Sequence, residues 1–587
     1  MDIKEDISLG EKVWRLNQVD EGECSRMAET YHLPEYLAQI LIARGVKFEE
    51  VENFLNPKLQ NLMPDPYCLK DMQKAVERVA TALRNKEKIA IIGDYDVDGA
   101  TSTSILKKFF RFFGVEPVIH IPSREEGYGP SDAAFAEFES ENARLVITID
   151  CGTTAFEVLN RATENGFDII VIDHHEAEAK LPNVFALINP KRLDEENPHK
   201  HLQYMSAVGV GFLFLVGLNR ELRNRGFYQD KTPPDLMNFL DLVALGTVCD
   251  VVPLRGLNRA YVKQGLKVLS KLENIGLKNL MAVAGVNSAP TSYTLGFMLG
   301  PRINACGRVG NADLENVLLC SDDELEAKKL AEKFNQFNTE RKDIENYVLL
   351  QAIEQIEKTP EEYPIAFVYG NDWHQGVIGI VAGKLRERYN VPAFVMSVEA
   401  DEVKGSARSI DGLDLGALIM SAKEKGVITG GGGHLMAAGF SLEQEQIPAF
   451  KKFVGEYVKE KLGNEKVVAV LPVDCALSLS AVNYDLCEKI NQLEPFGAGN
   501  PEPVFMFKNV AIAKPQIIGS GHIKCFLTSA TGASVKAICF NSADNQIGQA
   551  LLNHKGEIFD VAGYIKADNW MSRTSVQVII NDIKRGL

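Results

Sequence analysis

From residue 89 the chain alternates short apolar runs with helix-like stretches. Ile89-Ala-Ile-Ile92, Val118-Ile-His-Ile121, Leu145-Val-Ile-Thr-Ile149 and Ile169-Ile-Val-Ile172 are nearly continuous in apolar, largely β-branched residues. Strands covered on both faces of a parallel sheet read this way. Ala100–Phe110 and Leu236–Val248 have the look of helices. Ahead of this region, residues 1–85 are mostly helical in pattern, with an amphipathic run over Asp71–Arg84. Between Ala312 and Thr359 there is neither glycine nor proline. Leu325, Leu330, Phe334, Phe337, Ile344, Val348, Ile353 and Ile356 form an apolar stripe in this charged segment, which predicts one long helix, or two in tandem, between domains. An α/β pattern restarts over 361–463, with strands Ile365–Tyr369 and Ala393–Met396 around a helix at Val377–Arg388. Beyond about 465 the texture changes to alternating short strands, and a helix at Asn541–Asn553 set among them fits an oligonucleotide-binding (OB) barrel. The fold class expected is therefore multidomain α/β: two α/β domains joined by a long helix, with a C-terminal β-barrel.

Acidic groups and imidazoles close several of the predicted strands. Asp94, Asp96 and Asp98 follow the first run at alternate positions, which predicts an extended segment with all three carboxylates on one side. Asp150 closes a second run, Asp173-His174-His175 a third, and Asp250 follows a helix. Taken singly, an acidic triplet is as readily a solvated turn, and Asp150 a helix cap. On successive parallel strands, however, such ends share one rim. Carboxylates with imidazole and no thiolate suit Mn²⁺ or Mg²⁺. Two such ions, ~3.5–4 Å apart, are the arrangement for hydrolysing phosphate esters. Cys151 beside Asp150 is not needed as a nucleophile, since water suffices in that chemistry.

The net charge of −16 argues at first sight against a nucleic-acid partner. Bound cations offset part of it, and binding needs only a local basic surface. Residues 466–587 carry 11 Lys and Arg against 10 Asp and Glu, so the acidity lies in the preceding part of the chain. The ten cysteines include no C-x-x-C pair, which fits a reducing cytoplasm. The opening Met1-Asp-Ile-Lys-Glu-Asp6 is no leader peptide, and the longest apolar run, Ala207–Leu218, is too short for a membrane span.

The motifs GDYDVDG (93–99), SREEGYG (123–129), TIDCGTT (148–154), IDHHE (172–176), GTVCDVVPL (246–254), GPRINACGRVG (300–310), GSARS (405–409) and GGGGHLMAAG (430–439) run in order over some 350 residues. In this set the chain resembles the DHH phosphoesterase superfamily, and within it the RecJ-type single-strand-specific DNA exonucleases. The resemblance implies an N-terminal helical region (1–85), a DHH domain (86–320), a connecting helix (321–360), a DHH-associated domain (361–463) and an OB fold (464–587). It places Asp96, Asp98, Asp150, His174 and Asp250 on metal-ligand positions for two ions, with Asp150 bridging. His175 would stand beside the scissile phosphate or bond to a ligand, and Asp94 would orient ligands. Some relatives carry His two residues before Asp94. Ile92 stands there in this chain, which leaves the Asp96 site one protein ligand short.

Arg124, Arg302, Arg308 and Arg408 are flanked by glycine, serine or proline, where a guanidinium forks onto phosphate from a loop. Gly430–Gly433 is expected to form an anion-binding nest, with Gly432, Gly433 and His434 at the substrate. Tyr128, Ser406 and Arg408 join the substrate-binding set, with Ser406, Arg408 and Arg308 on the terminal phosphate. Trp373-His-Gln-Gly376 matches the family pattern but reads as structural. In the tail, Lys524, Lys536, Lys566 and Arg573 are candidates for phosphates, and Phe526, Phe540, Tyr564 and Trp570 for stacking bases. Removing the chain beyond about 465 is expected to spare very short oligonucleotides and to weaken the hold on long strands. The activity implied is a two-metal 5′→3′ exonuclease on single-stranded DNA, acting in repair and recombination in the cytoplasm. The partners implied are single-strand-binding protein and a recombination helicase, and the chain is expected to be a monomer. The rival readings are a short-oligonucleotide phosphodiesterase of the same superfamily and a non-catalytic single-strand-binding relative. No residue pattern by itself fixes polarity or DNA over RNA.

Overall fold

The computed structural model describes residues 7–123, 126–310, 313–359, 362–463, 467–568 and 575–586. They fall into two compact units. One comprises residues up to 15 together with 336–471, the other 16–335 together with 472–587.

The larger unit is built on five parallel strands: β1 (Ile89–Ile92), β2 (Val118–His120), β3 (Leu145–Ile149), β4 (Asp168–Ile172) and β5 (Ala186–Ile188). Their order is β2-β1-β3-β4-β5, with Ile91 in register with Ile147 and Ile149 with Ile172. Every residue of β1 and β3 is buried, as continuous apolar runs require. The chain leaves β1 for β2 on one side, while β3 lies on the other. The strand order therefore reverses between β1 and β3, and open α/β sheets place their ligands at the carboxyl ends beside such a switch.

Three helices complete this part of the core: α1 (Val97–Phe112), α2 (Ala207–Asn224) and α3 (Leu240–Cys249). Gly246 lets α3 close on α1, because a Cβ there would lie 2.3 Å from Thr101 Oγ1 and 2.9 Å from Asp98 Oδ1. The apolar run at Ala207–Leu218 is the buried face of α2. The expectation of an extended 94–98 segment is corrected. Asp96 caps α1, its Oδ1 accepting from the amides of Asp98 (2.8 Å) and Gly99 (3.1 Å), so Asp98 already lies in the helix. Capping by a side-chain carboxylate satisfies orphan amides of the first turn, and it overrides the alternation that a strand would show.

A short helix, Asp313–Cys320, precedes α4 (Glu324–Lys358), which is continuous over 35 residues. The division between the units falls at Gln336, inside α4. In the smaller unit the strand order is Gly430–Gly433, Ala437–Glu443, Glu402–Arg408, Ala393–Glu399, Ala366–Asn371. The last two strands are parallel and the others antiparallel. Phe367, Phe394, Phe440 and Phe450 centre its core. Trp373 is buried with Nε1 2.7 Å from Gln351 Oε1, and His374 caps the following helix, so both are structural.

In the larger unit the tail closes into a five-strand barrel: Phe505–Ile518, His522–Thr528, Ser534–Cys539, Ser575–Arg585 and Ile558–Asp568, the last pairing back to the first. The helix among them spans Gln546–Leu552, shorter than expected because Asn545 caps it at Gly548 N, 3.0 Å away. Phe526 and Tyr564 are half-buried, while Phe540 is exposed. Trp570 and Arg573 lie outside the described residues. The barrel stem is stitched to the DHH region. The fully buried Arg259 donates to the carbonyls of Phe54, Leu493, Glu494 and Pro495. Arg44 donates to Asn500 and to Pro501 O, and Leu254 N to Ala498 O at 2.8 Å. Cutting at 465, which the sequence reading expects to spare very short oligonucleotides, would strip these guanidinium donors of their acceptors.

Candidate metal centre

The ends of β1, β3 and β4, the start of α1 and the end of α3 meet at the switch-point rim. There, seven groups form three overlapping sets whose ligand atoms lie within 4.8 Å of one another: Asp94, Asp96 and Asp150; Asp98, His174 and Asp250; Asp150, His174 and His175. Asp150 and His174 belong to two sets each, and of the two only the carboxylate, with two oxygens, can be shared between ions.

Asp96, Asp98 and His174 are held by backbone groups. Asp98 reaches the N-terminus of α2, where Oδ2 accepts from Ala207 N (2.6 Å) and Oδ1 from Val208 N (3.0 Å). Asp150 follows β3 in the left-handed region (φ 66), and Val251, next to Asp250, shares it (φ 59). For non-glycine residues that conformation costs ~1–3 kcal/mol and gathers at functional sites. His174 Nδ1 lies 3.0 Å from Met205 O, which assigns the proton to Nδ1 and leaves Nε2 as a lone pair, 3.2 Å from Asp150 Oδ1. Burial, with the neighbouring His175, lowers His174 to about 3, so the ring is neutral as a ligand should be.

Burial and then Asp96 push Asp98 up to about 7, and burial with the neighbouring carboxylates holds Asp150 and Asp250 well above the ordinary range. Asp250 Oδ2 is buried and takes no hydrogen bond. Such a cluster is unstable as anions by themselves and stable around divalent cations. An all-oxygen-and-imidazole set with an orphaned carboxylate oxygen fits Mn²⁺ or Mg²⁺.

The DHH family N-terminal domain matches residues 88–247, the DHHA1 domain 362–460 and the RecJ OB domain 473–582. The single-stranded-DNA-specific exonuclease RecJ of Salmonella typhimurium is 32% identical over 570 residues, covering 94% of this chain and 96% of that protein. The chain belongs to the RecJ family. The Bacillus subtilis RecJ is 32% identical over 578 residues, covering 97% of this chain and 70% of that protein. The crystal structure of RecJ in complex with Mn²⁺ from Thermus thermophilus matches with a TM-score of 0.81 at 28% identity, over 98% of this chain and 80% of that one. The Mg²⁺ complex from the same organism matches with a TM-score of 0.76 at 25% identity, over the whole of this chain and 79% of that one.

The RecJ-family residues around the centre divide into those the sequence points to and those it does not. Asp94 lies at ligand distance from Asp96 and Asp150, so it offers an oxygen where Ile92, buried in β1, offers none. Tyr128 donates its hydroxyl to Asp150 O at 2.8 Å and lies 3.3 Å from the His175 nitrogens. Arg124 lies outside the described residues. Cys151 is buried, and burial raises its thiol far above the ordinary value, so it is no nucleophile.

The sequence marks Asp173 only as a strand end. In the structure its Oδ1 accepts from the amides of His174 (2.7 Å) and His175 (3.2 Å) and faces His175 Nδ1 at 2.7 Å, while Oδ2 accepts from Thr153 N at 3.0 Å. Burial opposes its charge, but these bonds and both imidazoles hold it well below the usual carboxylate range. Burial likewise opposes charge on His175, and Asp173 outweighs it, raising His175. Asn189 completes the support, donating to Thr153 Oγ1 and to His175 O, both at 2.9 Å. The signal for Asp173 is its place as the first letter of the Asp-His-His run.

Among the described residues the arginine candidates stand on a helix and a strand and not in loops, which corrects that expectation. Arg302 and Arg308 lie on the helix Gly300–Val309 of the larger unit. Gly307 of this helix would put a Cβ 2.6 Å from Tyr95 O, so it packs on the metal-bearing loop. Arg302 donates to Asn335 Oδ1 (3.0 Å) and Met298 O (2.6 Å). In the smaller unit Ser406 and Arg408 share a strand, with Arg408 Nη1 3.1 Å from Ser406 Oγ. Gly432 pairs with Gly439, and Gly439 with Ser406, so the two glycine motifs form neighbouring rows of one sheet. Gly430–Gly433 is an edge strand rather than the nest expected, because it pairs in register with Gly439–Ser441 and Ala438. His434 follows directly, its amide on Ala437 O at 2.8 Å.

Proposed function

We propose that this chain is a divalent-metal-dependent exonuclease that removes nucleotides from the 5′ end of single-stranded DNA. The observation that carries the reading is the convergence of five carboxylates and two imidazoles, in three overlapping donor sets, at the switch-point rim. Asp98, His174 and Asp250, with Asp150 shared, would hold one ion, and Asp94, Asp96 and Asp150 the other. Mn²⁺ or Mg²⁺ bound there would supply activation of water and neutralisation of charge on the phosphate. The family relationship supports this over a short-oligonucleotide phosphodiesterase, and the full complement of carboxylates supports it over a non-catalytic binding relative.

The chain's own groups do the rest. His175, half-exposed with Nδ1 turned to Asp173, keeps Nε2 for a proton passed to the departing oxygen. Tyr128 stands beside the ring of His175, its hydroxyl 3.3 Å from both nitrogens. Arg302 and Arg308 are assigned to the strand's phosphates, and Ser406, Arg408, Gly432, Gly433 and His434 to its terminal phosphate. Among the described residues no helix is long and apolar enough to cross a membrane. A cytoplasmic monomer serving repair and recombination, with a single-strand-binding protein and a helicase as partners, completes the proposal.

The test is release of nucleotides from end-labelled DNA with Mn²⁺ present. The reading expects label to leave a 5′-labelled single strand at once and a 3′-labelled strand last, with duplex spared. Immediate release from the 3′ end, or equal attack on duplex, overturns it.

A further inference from the structure

Tyr293 and Phe297 form an exposed aromatic pair that nothing in the catalytic arrangement uses. Their rings are stacked, with centroids 5.0 Å apart and planes 19° from parallel, and the side chains remain 60% and 70% exposed. Two large rings held in water, each with one face occupied by the other, waste the burial that would stabilise them elsewhere. They are not loosely placed. Phe297 lies in a six-residue π-helical turn, Thr294–Leu299, that directly follows Tyr293 and whose Thr294, Leu295 and Leu299 are buried. Such turns are rare and frequent at functional sites.

The turn is anchored on both sides. Cys249, the neighbour of Asp250, donates its thiol to Leu295 O at 3.6 Å. A Cβ at Gly300 would lie 2.5 Å from Cys249 Sγ, so only glycine allows the approach. On the other side Ser292 donates to Phe496 O of the barrel stem at 2.5 Å. The helix carrying Arg302 and Arg308 begins at Gly300, where the turn ends. The turn that carries the rings thus touches the barrel stem on one side and the metal-bearing end of α3 on the other, and it leads into the helix of the phosphate arginines.

We infer that Tyr293 and Phe297 are a base-stacking platform that grips one or two nucleotides of the single strand between barrel and metal centre. The inference rests on the proposed function and adds base recognition next to the metal centre, apart from the aromatic candidates on the barrel. Every base has a π-face, so such a platform holds strands of any sequence, and rings fixed in advance lose little freedom on binding.

The experiment compares full-length wild type with the Tyr293→Ala/Phe297→Ala double variant. Each is titrated with a fluorescent 20-nucleotide strand carrying hydrolysis-resistant phosphorothioate linkages. Both are titrated as well with the same strand made abasic. The inference expects the variant to bind the normal strand on the order of tenfold or more weakly. On the abasic strand the two proteins should bind alike, and the salt dependence should be unchanged because no phosphate contact is lost. Phe297→Trp should keep the affinity and show indole quenching on binding. Equal affinity of variant and wild type for the normal strand overturns the inference and leaves the rings to a protein partner. Equal losses on normal and abasic strands overturn it too, since the change then acts through folding or phosphates. Failure of the wild type to bind either strand would instead sink the functional reading on which it rests.

Discussion

His175 Nδ1 stands 2.7 Å from Asp173 Oδ1, and the same oxygen accepts the amides of both histidines. One carboxylate thereby fixes the turn after β4, the ring of His175 and the nitrogen of His175 that faces outward. Asp173→Asn should leave metal binding near wild type and slow turnover about ten- to a hundredfold, the usual scale for a group that orients another. His175→Ala should slow it by ~10²-fold. Because the two act as a unit, the double variant should be little slower than the worse single one. Steady-state kinetics on all three, with calorimetric metal titration, checks this. Additive losses would separate the roles.

Asp94 is proposed to supply the oxygen that Ile92 cannot. Its carboxylate lies with those of Asp96 and Asp150, so Asp94→Ala should lose one of two Mn²⁺ equivalents by calorimetry, with the tighter ion retained. Two ions bound with unchanged affinity would return Asp94 to an orienting role.

Arg408 and Ser406 are expected to read the terminal phosphate. Burial, with Arg386 nearby, lowers the Arg408 guanidinium from its ordinary value, so an anion should be welcome there. Arg408→Ala should erase most of the preference for a phosphorylated over a hydroxyl 5′ end. Equal slowing of both substrates would place the residue elsewhere on the strand.

The barrel stem should prove inseparable from the DHH region. Deleting the chain beyond 465 leaves Arg259 without three of its four carbonyl partners and Arg44 without Asn500 and Pro501. Hydrogen bonds to a charged group contribute ~1.5–3 kcal/mol each. The denaturation midpoint of the truncated chain should fall steeply, and short oligonucleotides should be cut poorly as well as long ones. A truncation with an undiminished midpoint would contradict the stitching.

Much of this was legible in the residues. Runs such as Leu145–Ile149 could only be strands buried on both faces, and acidic ends on parallel strands had to share a rim. The long α4 showed as a stretch without glycine or proline. What escaped was set by contacts distant in sequence. Asp96 leaves the extended pattern because its oxygen finds two amides of its own helix. Arg259 looks like any helix arginine until the carbonyls at 493–495, more than two hundred residues on, surround it. The role of Asp173 needs the ring of His175 folded back on it. Gly430–Gly433 reads as a loop by composition and becomes a strand only because Ala437–Glu443 pairs with it.

The central claim is that the rim at the β1/β3 switch is a metal-dependent phosphodiesterase centre with Asp150 shared between ions. The most direct measurement is single-turnover cleavage of a 5′-phosphorylated single strand by wild type and Asp150→Ala, each with Mn²⁺ and with chelator. Affinity for an uncleavable strand is followed in parallel. The account predicts cleavage abolished by chelator and, in Asp150→Ala, cut to below a tenth of wild type with strand binding largely kept. A tenth of the rate is a loss of only ~1.4 kcal/mol, far less than removing a shared ligand should cost. Cleavage that survives chelation, or an Asp150→Ala enzyme above that tenth, would contradict it.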